Sequence, residues 1–283
     1  MKTGVSFAII GCGRIAARHA EHIQHCGRLQ AVCDIDAGKA AGFANKYQCN
    51  HYPSAETLLA NEKGIDVIAI CTPNGLHAQQ TITCLQAGHH IICEKPMALK
   101  SSDCMLMIQA ADDAGKKLFV VKQNRYNPPV AALKKLIDEN HTGKIYSVQL
   151  NCFWNRDAAY YTDSWRGTMD MDGGTLFTQF SHFIDLLQWM FGNIKKVYAL
   201  TANMAHENTI AFEDSGVVSL QFENNILGSI HFTINSFKKN MEGSLTIFAE
   251  KGSWKIGGEY LNVLEYQQSD AYIIKDLPAG NTA

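Results

Sequence analysis

Val5-Ser6-Phe7-Ala8-Ile9-Ile10-Gly11-Cys12-Gly13-Arg14-Ile15-Ala16 joins an apolar run, a glycine turn and the first turn of a helical pattern. A short run that is apolar throughout, rather than alternating, is a strand buried on both faces of a parallel sheet. The glycine spelling lets a strand-to-helix turn close tightly and brings a dinucleotide pyrophosphate against the helix N-terminus. The same glycines also serve any tight turn that needs positive φ, so the context decides. That context is an acidic residue, Asp34, at the end of the second apolar run and 23 residues after Gly11. A carboxylate there bonds the adenosine ribose hydroxyls and repels a 2′-phosphate, which favours NAD over NADP. Asp36 strengthens that bias, and Arg14 and Lys39 oppose it. Gly11, Gly13, Arg14, Ile15 and Asp34 are therefore the expected first cofactor contacts.

Outward from this turn, apolar runs alternate with helical patterns through about residue 125. Strands are expected at Val5–Ile10, Leu29–Cys33, Asp66–Cys71, His90–Cys93 and Leu118–Lys122. Helices are expected at Arg14–Cys26, Ala37–Lys46, Ser54–Asn61, Leu76–Ala87 and Ser102–Ala114, with Ser54 as an N-cap and Gly27, Gly88 and Gly115 as stops. Repeated βα units with right-handed crossovers make a doubly wound sheet. Cys71-Thr72-Pro73-Asn74-Gly75-Leu76-His77 leaves the third of these strands, so Thr72, Pro73 and Asn74 lie at its carboxyl edge, where the cofactor binds. His77 joins them as a candidate cofactor contact, although one turn into its helix it reads more readily as a surface histidine than as a catalytic one. Glu94-Lys95-Pro96 closes the next strand and puts a lysine, stiffened by proline, at the nicotinamide end of the sheet. Gln123, after the last strand, emerges at the same edge.

Beyond Asn127-Pro128-Pro129 the texture changes. A helix is expected at Val130–Glu139, with Pro129 in its first turn, then a long strand at Lys144–Trp154 and one aromatic-rich helix at Gly174–Phe191. Val217–Glu223, Ile226–Asn235, Gly243–Ala249 and Leu261–Tyr266 read as strands, with hairpin signals at Glu223-Asn224-Asn225 and Glu250-Lys251-Gly252. The expected fold is α/β: a Rossmann domain with a doubly wound parallel sheet at 1–123, and an α+β domain with a mainly antiparallel sheet at 124–283 for substrate binding and oligomerisation. Val218, Leu220 and Phe222 alternate with Val217 and Gln221, and with Phe232 and Ile234 nearby they predict apolar residues on both faces of that sheet. A homodimer or homotetramer is expected to bury one face.

The 283 residues fit about two domains at ~150 residues each, and 46% hydrophobic content fills two cores. With 25 basic and 27 acidic residues the formal net charge is −2, so nothing points to nucleic acid or an anionic membrane as partner. No apolar stretch approaches ~20 residues, and the N-terminus runs straight into a strand, so a cytoplasmic location is expected. The nine cysteines lack a CxxC pair and mostly sit on apolar patterns, which favours buried thiols over disulfides or a metal site.

The chain resembles the glucose-fructose oxidoreductase, inositol dehydrogenase and rhizopine-catabolism family of NAD(P)-dependent oxidoreductases. AIIGCGRIAARHA, AVCDIDAGKA, DVIAICTPNGLHAQQTITCLQAGHHIICEKPMAL and DSWRGTMDMDGGTLFTQFSHFIDLLQWMFG carry the likeness, from about residue 5 to about residue 192. The resemblance implies that Lys95 and His182 face the reacting carbon beside the nicotinamide. It also implies cofactor contacts at Glu94, Trp165 and Arg166. Many members carry aspartate one helical turn before the histidine, where this chain has Thr178. Sugar-nucleotide oxidising members vary at that position and resemble the stretch Tyr160-Tyr161-Thr162-Asp163-Ser164-Trp165-Arg166-Gly167, which implies oxidation at C3 of a UDP-N-acetylhexosamine or its uronate. Leu277-Pro278-Ala279-Gly280-Asn281-Thr282-Ala283 is loop-like where the family has a further helix, so the second domain is expected either to be short or to continue past this sequence.

Oxidation of a secondary alcohol needs a base for the hydroxyl proton while the C–H hydride leaves, and a donor for the developing alkoxide. Lys95 suits the base because desolvation and a cationic nicotinamide both lower its pKa from ~10.4. His182 needs a smaller shift. Which of the two takes the proton is left open, and Asp185, one turn further, is expected either to orient His182 or to cap a local network. Substrate contacts are expected from Asn124, Arg125 and Tyr126, and from Asn155, Arg156, Tyr160, Tyr161, Thr178 and Gln179. Arg125 would pair with a carboxylate or phosphate, and aromatic stacking with arginine pairing suits a sugar nucleotide. Two alternatives stand beside that substrate: inositol or another polyol, and a cofactor-bound regulator without turnover.

Overall fold

Strands rich in Val, Ile, Ala and Cys assemble the first half of the chain into a six-stranded parallel sheet in this computed structural model, which describes residues 4–270, 272–275 and 277. The chain divides into two compact units. One holds the residues up to Val121 together with Asp170–Gly173, and the other holds Lys122–Met169 together with the residues from Gly174 onward.

In the first unit β1 (Val5–Ile10), α1 (Arg14–Cys26), β2 (Gly27–Cys33), α2 (Ala37–Tyr47), β3 (Asn50–Tyr52), α3 (Ala55–Asn61), β4 (Val67–Ile70), α4 (His77–Gln86), β5 (His90–Cys93), α5 (Ser101–Asp113) and β6 (Leu118–Val120) follow in order. The strand order β3-β2-β1-β4-β5-β6 reverses direction between β1 and β4, the switch point of a Rossmann sheet. Ile9, Ile68, Ile70 and Ile91 are fully or nearly fully buried, as a sheet covered on both faces requires. Ser54 caps α3 in a reciprocal capping box with Thr57. Two boundaries differ from expectation. Gly27 starts β2 instead of only stopping α1, because it packs on Phe7, where a Cβ would fall 2.6 Å from the ring. The polar Asn50-His51-Tyr52 forms β3, an edge strand recruited by pairing with Ala31–Cys33 and not by hydrophobicity.

The second unit contains α6 (Pro128–Asp138), β7 (Ile145–Phe153), α7 (Ala158–Tyr161), α8 (Thr175–Thr178), α9 (Ser181–Phe191), β8 (Ile194–Ala202), β9 (Ser215–Phe222), β10 (Leu227–Thr233), β11 (Glu242–Ala249), β12 (Gly252–Gly257) and β13 (Val263–Ser269). Its seven-stranded sheet runs β13-β12-β11-β7-β10-β9-β8, antiparallel except for the β7–β10 pair. Val148, Leu150, Val218, Leu220, Ile230, Phe232 and Ile247 share a core with Val130 and Leu133 of α6 and Phe183, Leu186 and Leu187 of α9.

Three expectations are corrected here. The single helix Gly174–Phe191 is two, because Phe180 (φ −116°, ψ 10°) leaves helical geometry to bury its ring against Trp154 and Phe232. Phe232 and Ile234 are completely buried on the core side, so the second face of the sheet is mixed. It exposes Val217, Leu227 and Phe248 among Ser219, Ser229 and Gln149. Finally, β12 was not expected, since its apolar alternation is only Trp254-Lys255-Ile256 between glycines, although Trp254 and Ile256 are fully buried. Residues 278–283 of the loop-like tail lie outside the described residues, and among those described no helix is long and apolar enough to cross a membrane.

Candidate functional site

In the first unit the glycine turn is shaped by its neighbours. Gly11 has φ +93°, and a Cβ there would lie 2.8 Å from the carbonyl carbon and oxygen of Cys71, so only glycine fits. A Cβ on Gly13 would meet no protein atom within 4 Å. Packing therefore does not require the second glycine, and the open space is what a pyrophosphate would use. α1 has no side-chain cap, which leaves its first-turn amides for an anion. Arg14 and Ile15 are exposed on that turn. Asp34 accepts from the Cys12 amide at 2.7 Å and from the Asp36 amide at 2.8 Å. A carboxylate has about four lone-pair positions, so two remain for ribose hydroxyls. These residues fit a bound NAD.

The loops after β4 and β5 are cross-braced within the same unit. The Thr72 hydroxyl donates to Gln80 at 2.6 Å, and Asn74 donates to the Asp172 carbonyl at 2.9 Å. His77 is only 1% exposed, which corrects its reading as a surface histidine. Its ring nitrogens lie 2.7 Å from the Pro96 carbonyl and 2.9 Å from that of Thr72, so it ties the loop after β4 to the loop after β5 that carries Lys95. Glu94 is buried, with one oxygen 2.7 Å from His19 Nε2 and the other accepting from the Lys95 amide at 3.2 Å. Burial alone would raise the Glu94 pKa, but the His19 hydrogen bond and the nearby positive charges hold it below the usual carboxylate range. Lys95 itself is half-buried and precedes a cis peptide to Pro96. Burial pushes the thiols of Cys12, Cys33 and Cys93 up to about 12, so none of them is a nucleophile at neutral pH.

In the second unit, Gln123 and Tyr126 are exposed and Asn124 is buried in the 3₁₀ turn before α6. The carboxylate that takes Arg125 is internal: Asp185 accepts from its Nε and its Nη2, both at 2.7 Å, and the guanidinium lies over Trp189. Of the two readings of Asp185, the local network is the one seen, since it braces Arg125; Arg125 spends its fork on Asp185 and not on a free anion. Sequence reading missed Lys122, whose Nζ is 3.9 Å from Asp185 and whose pKa burial lowers. His182 and Thr178 are both nearly buried, on α9 and α8.

Arg156 and Tyr160, expected at the substrate, and Trp165 and Arg166, expected at the cofactor, form one assembly in this unit with Trp154, which was not among the expected contacts. Trp154, Arg156, Tyr160, Arg166 and Trp165 alternate ring and guanidinium, with successive separations of 5.0, 5.2, 4.7 and 4.9 Å. Gln179 ties the set together, accepting from Arg156 Nε at 2.7 Å and donating to the Tyr160 hydroxyl at 3.0 Å. Asn155 bonds the Ser236 carbonyl at 2.6 Å, and Tyr161 is buried beside Tyr160. Two cations stacked between three aromatic rings make an electropositive, flat-sided surface suited to an anion that carries planar or sugar groups.

Two family profiles match the chain: an oxidoreductase family with an NAD-binding Rossmann fold over residues 5–122, and the GFO/IDH/MocA C-terminal domain over residues 130–255. The WlbA dehydrogenase of Chromobacterium violaceum, solved with NADH and UDP-GlcNAcA, is 40% identical. It superposes with a TM-score of 0.91 over 94% of this chain and 78% of its own. This chain belongs to the Gfo/Idh/MocA family. WlbA of Bordetella pertussis, also solved with NADH and UDP-GlcNAcA, is 37% identical with the same TM-score and the same coverage of both chains. The NADP(+)-dependent scyllo-inositol 2-dehydrogenase IolW of Bacillus subtilis is 33% identical over 54% of this chain and 43% of its own. Like its family, the chain is an oxidoreductase with an NAD-binding Rossmann domain.

Proposed function

We propose that this Gfo/Idh/MocA oxidoreductase oxidises a secondary hydroxyl of an anionic sugar nucleotide, C3 of a UDP-N-acetylhexosamine or its uronate. The observation that carries the choice is the Trp154–Arg156–Tyr160–Arg166–Trp165 stack. An uncharged inositol gives two guanidinium groups nothing to neutralise, whereas a diphosphate or a uronate carboxylate does. The two WlbA dehydrogenases solved with UDP-GlcNAcA support the same substrate class.

NAD, when bound, accepts the hydride from the alcohol carbon. Lys95 and His182 serve the proton: one removes it from the hydroxyl and the other donates a hydrogen bond to the oxygen as negative charge develops there. His77 holds the Pro96 carbonyl, and His19 holds the Glu94 carboxylate that accepts from the Lys95 amide, so the ammonium works from a fixed base. Asp34 binds the ribose, and Gln179 fixes Arg156 and Tyr160 against the substrate. NADH formation from NAD with UDP-GlcNAcA, UDP-GlcNAc and myo-inositol tests the reading. Turnover of a UDP sugar is expected, and turnover of myo-inositol alone overturns it.

A further inference from the structure

Asp214 is completely buried at the end of the loop joining β8 to β9. One of its oxygens accepts from the amides of Met204 and Ala205 at 3.0 and 2.8 Å and contacts His206 Nδ1 at 3.1 Å. The other ring nitrogen of His206 lies 2.8 Å from the carbonyl of Arg156. Carboxylate and carbonyl oxygens only accept, and a neutral imidazole has a single N–H. Both contacts are hydrogen bonds only when the ring carries two protons. A neutral ring would turn a lone pair on one of the two oxygens. Asp214 is the ionised group facing the ring, the edge-on Tyr161 covers it at 5.7 Å, and the charged end of Arg156 is occupied by Gln179 and Asn240.

The same loop grips two further segments. The Ala211 amide donates to the Gly167 carbonyl at 2.8 Å, and the Thr175 hydroxyl donates to the Glu213 carbonyl at 2.5 Å. One loop thus anchors the main chain at Arg156, at the residue after Arg166, and at the head of the helix that leads to Gln179.

We infer that His206, seated between the Asp214 carboxylate and the Arg156 carbonyl, is a positioning residue that sets the Arg156–Tyr160–Arg166 stack for the anionic part of the substrate. The inference rests on the sugar-nucleotide reading for its ligand. It adds a residue that touches neither substrate nor cofactor. Two stacked guanidiniums meet an anion well only if their separation is fixed, and the grip on the Arg156 carbonyl fixes it. Loss of the grip should therefore weaken substrate binding and leave the hydride step at saturation.

The test uses the full chain and its His206→Ala and His206→Gln variants. His206→Ala should raise KM for UDP-GlcNAcA about tenfold while kcat and the NADH Kd stay within about threefold. His206→Gln, which keeps a donor for the Arg156 carbonyl, should recover most of that loss. An unchanged KM in a folded His206→Ala protein, or an equal fall of kcat, overturns the proposal. If no UDP sugar is turned over, the functional reading fails by itself. The brace is then judged by calorimetric binding of UDP: a loss of about tenfold in His206→Ala supports it, and equal binding or no binding by the parent sinks it.

Discussion

Under the proposed function Lys95 and His182 carry the proton chemistry, and each makes a separable forecast. Lys95→Ala should lower turnover by roughly 10²–10⁴ while NADH binding stays within a few-fold, the scale of a lost acid–base group. His182→Ala should cost the same or somewhat less, and the double variant little more than the worse single one, since both groups serve one proton. Near-parental steady-state rates for Lys95→Ala would remove it from the mechanism. Glu94 behaves differently, because its folded pKa lies below the unfolded value near ~4.3. Its contribution to stability is complete above the unfolded pKa and is lost as pH falls through the folded one. Thermal melts should therefore show the parent losing stability in that acid window more steeply than Glu94→Gln, and parallel melting curves would contradict this. Lys95 and Asp34 were legible in the sequence because a strand, a turn and a charged residue lie within a few positions of one another. His206 and Arg156 were not paired by reading, since 50 residues separate them and no local pattern links a histidine to a distant carbonyl.

At the level of elements, the glycine turn is the least replaceable piece. Gly11→Ala places a methyl against the Cys71 carbonyl at a positive φ, so it should cost about 2 kcal/mol or more. It should also weaken NADH binding, and a calorimetric melt with an NADH titration checks both. An unchanged melting temperature would mean that the turn relaxes freely. Continuous apolar runs identified β1, β4 and β5, and the 3.6-residue period identified α1 and α5. The polar strand β3 escaped because β2 recruits it, a tertiary cause that a local window does not contain, and β12 because its apolar signal is only Trp254 and Ile256. The break between α8 and α9 escaped for a similar reason, since Phe180 obeys its core contacts and not its helix propensity.

For the whole molecule, the second face of the seven-stranded sheet carries Val217, Leu227 and Phe248, with Tyr198 and Leu200 on the edge strand β8 at 70% and 82% exposure. Side chains of that size left in water are the usual mark of a surface that associates. Sedimentation at micromolar concentration should give a dimer or larger, with Leu200→Glu shifting it toward monomer; a parent sedimenting as a monomer would refute the expectation. The division of the chain has a different consequence. Asp170–Gly173 belongs to the nucleotide-binding unit although almost fifty residues of the other unit precede it. Met171 bonds the Gly75 amide at 3.1 Å, and Asp172 accepts from Asn74, so the short insert shapes the loop after β4. The polypeptide thus passes between the units three times, at 121/122, 169/170 and 173/174. A single breakpoint does not exchange the cofactor half of such a chain for that of a relative. A chimera would need two grafts, and shuffling that moved the first without the second would leave the loop around Asn74 built for a tetrapeptide it no longer has.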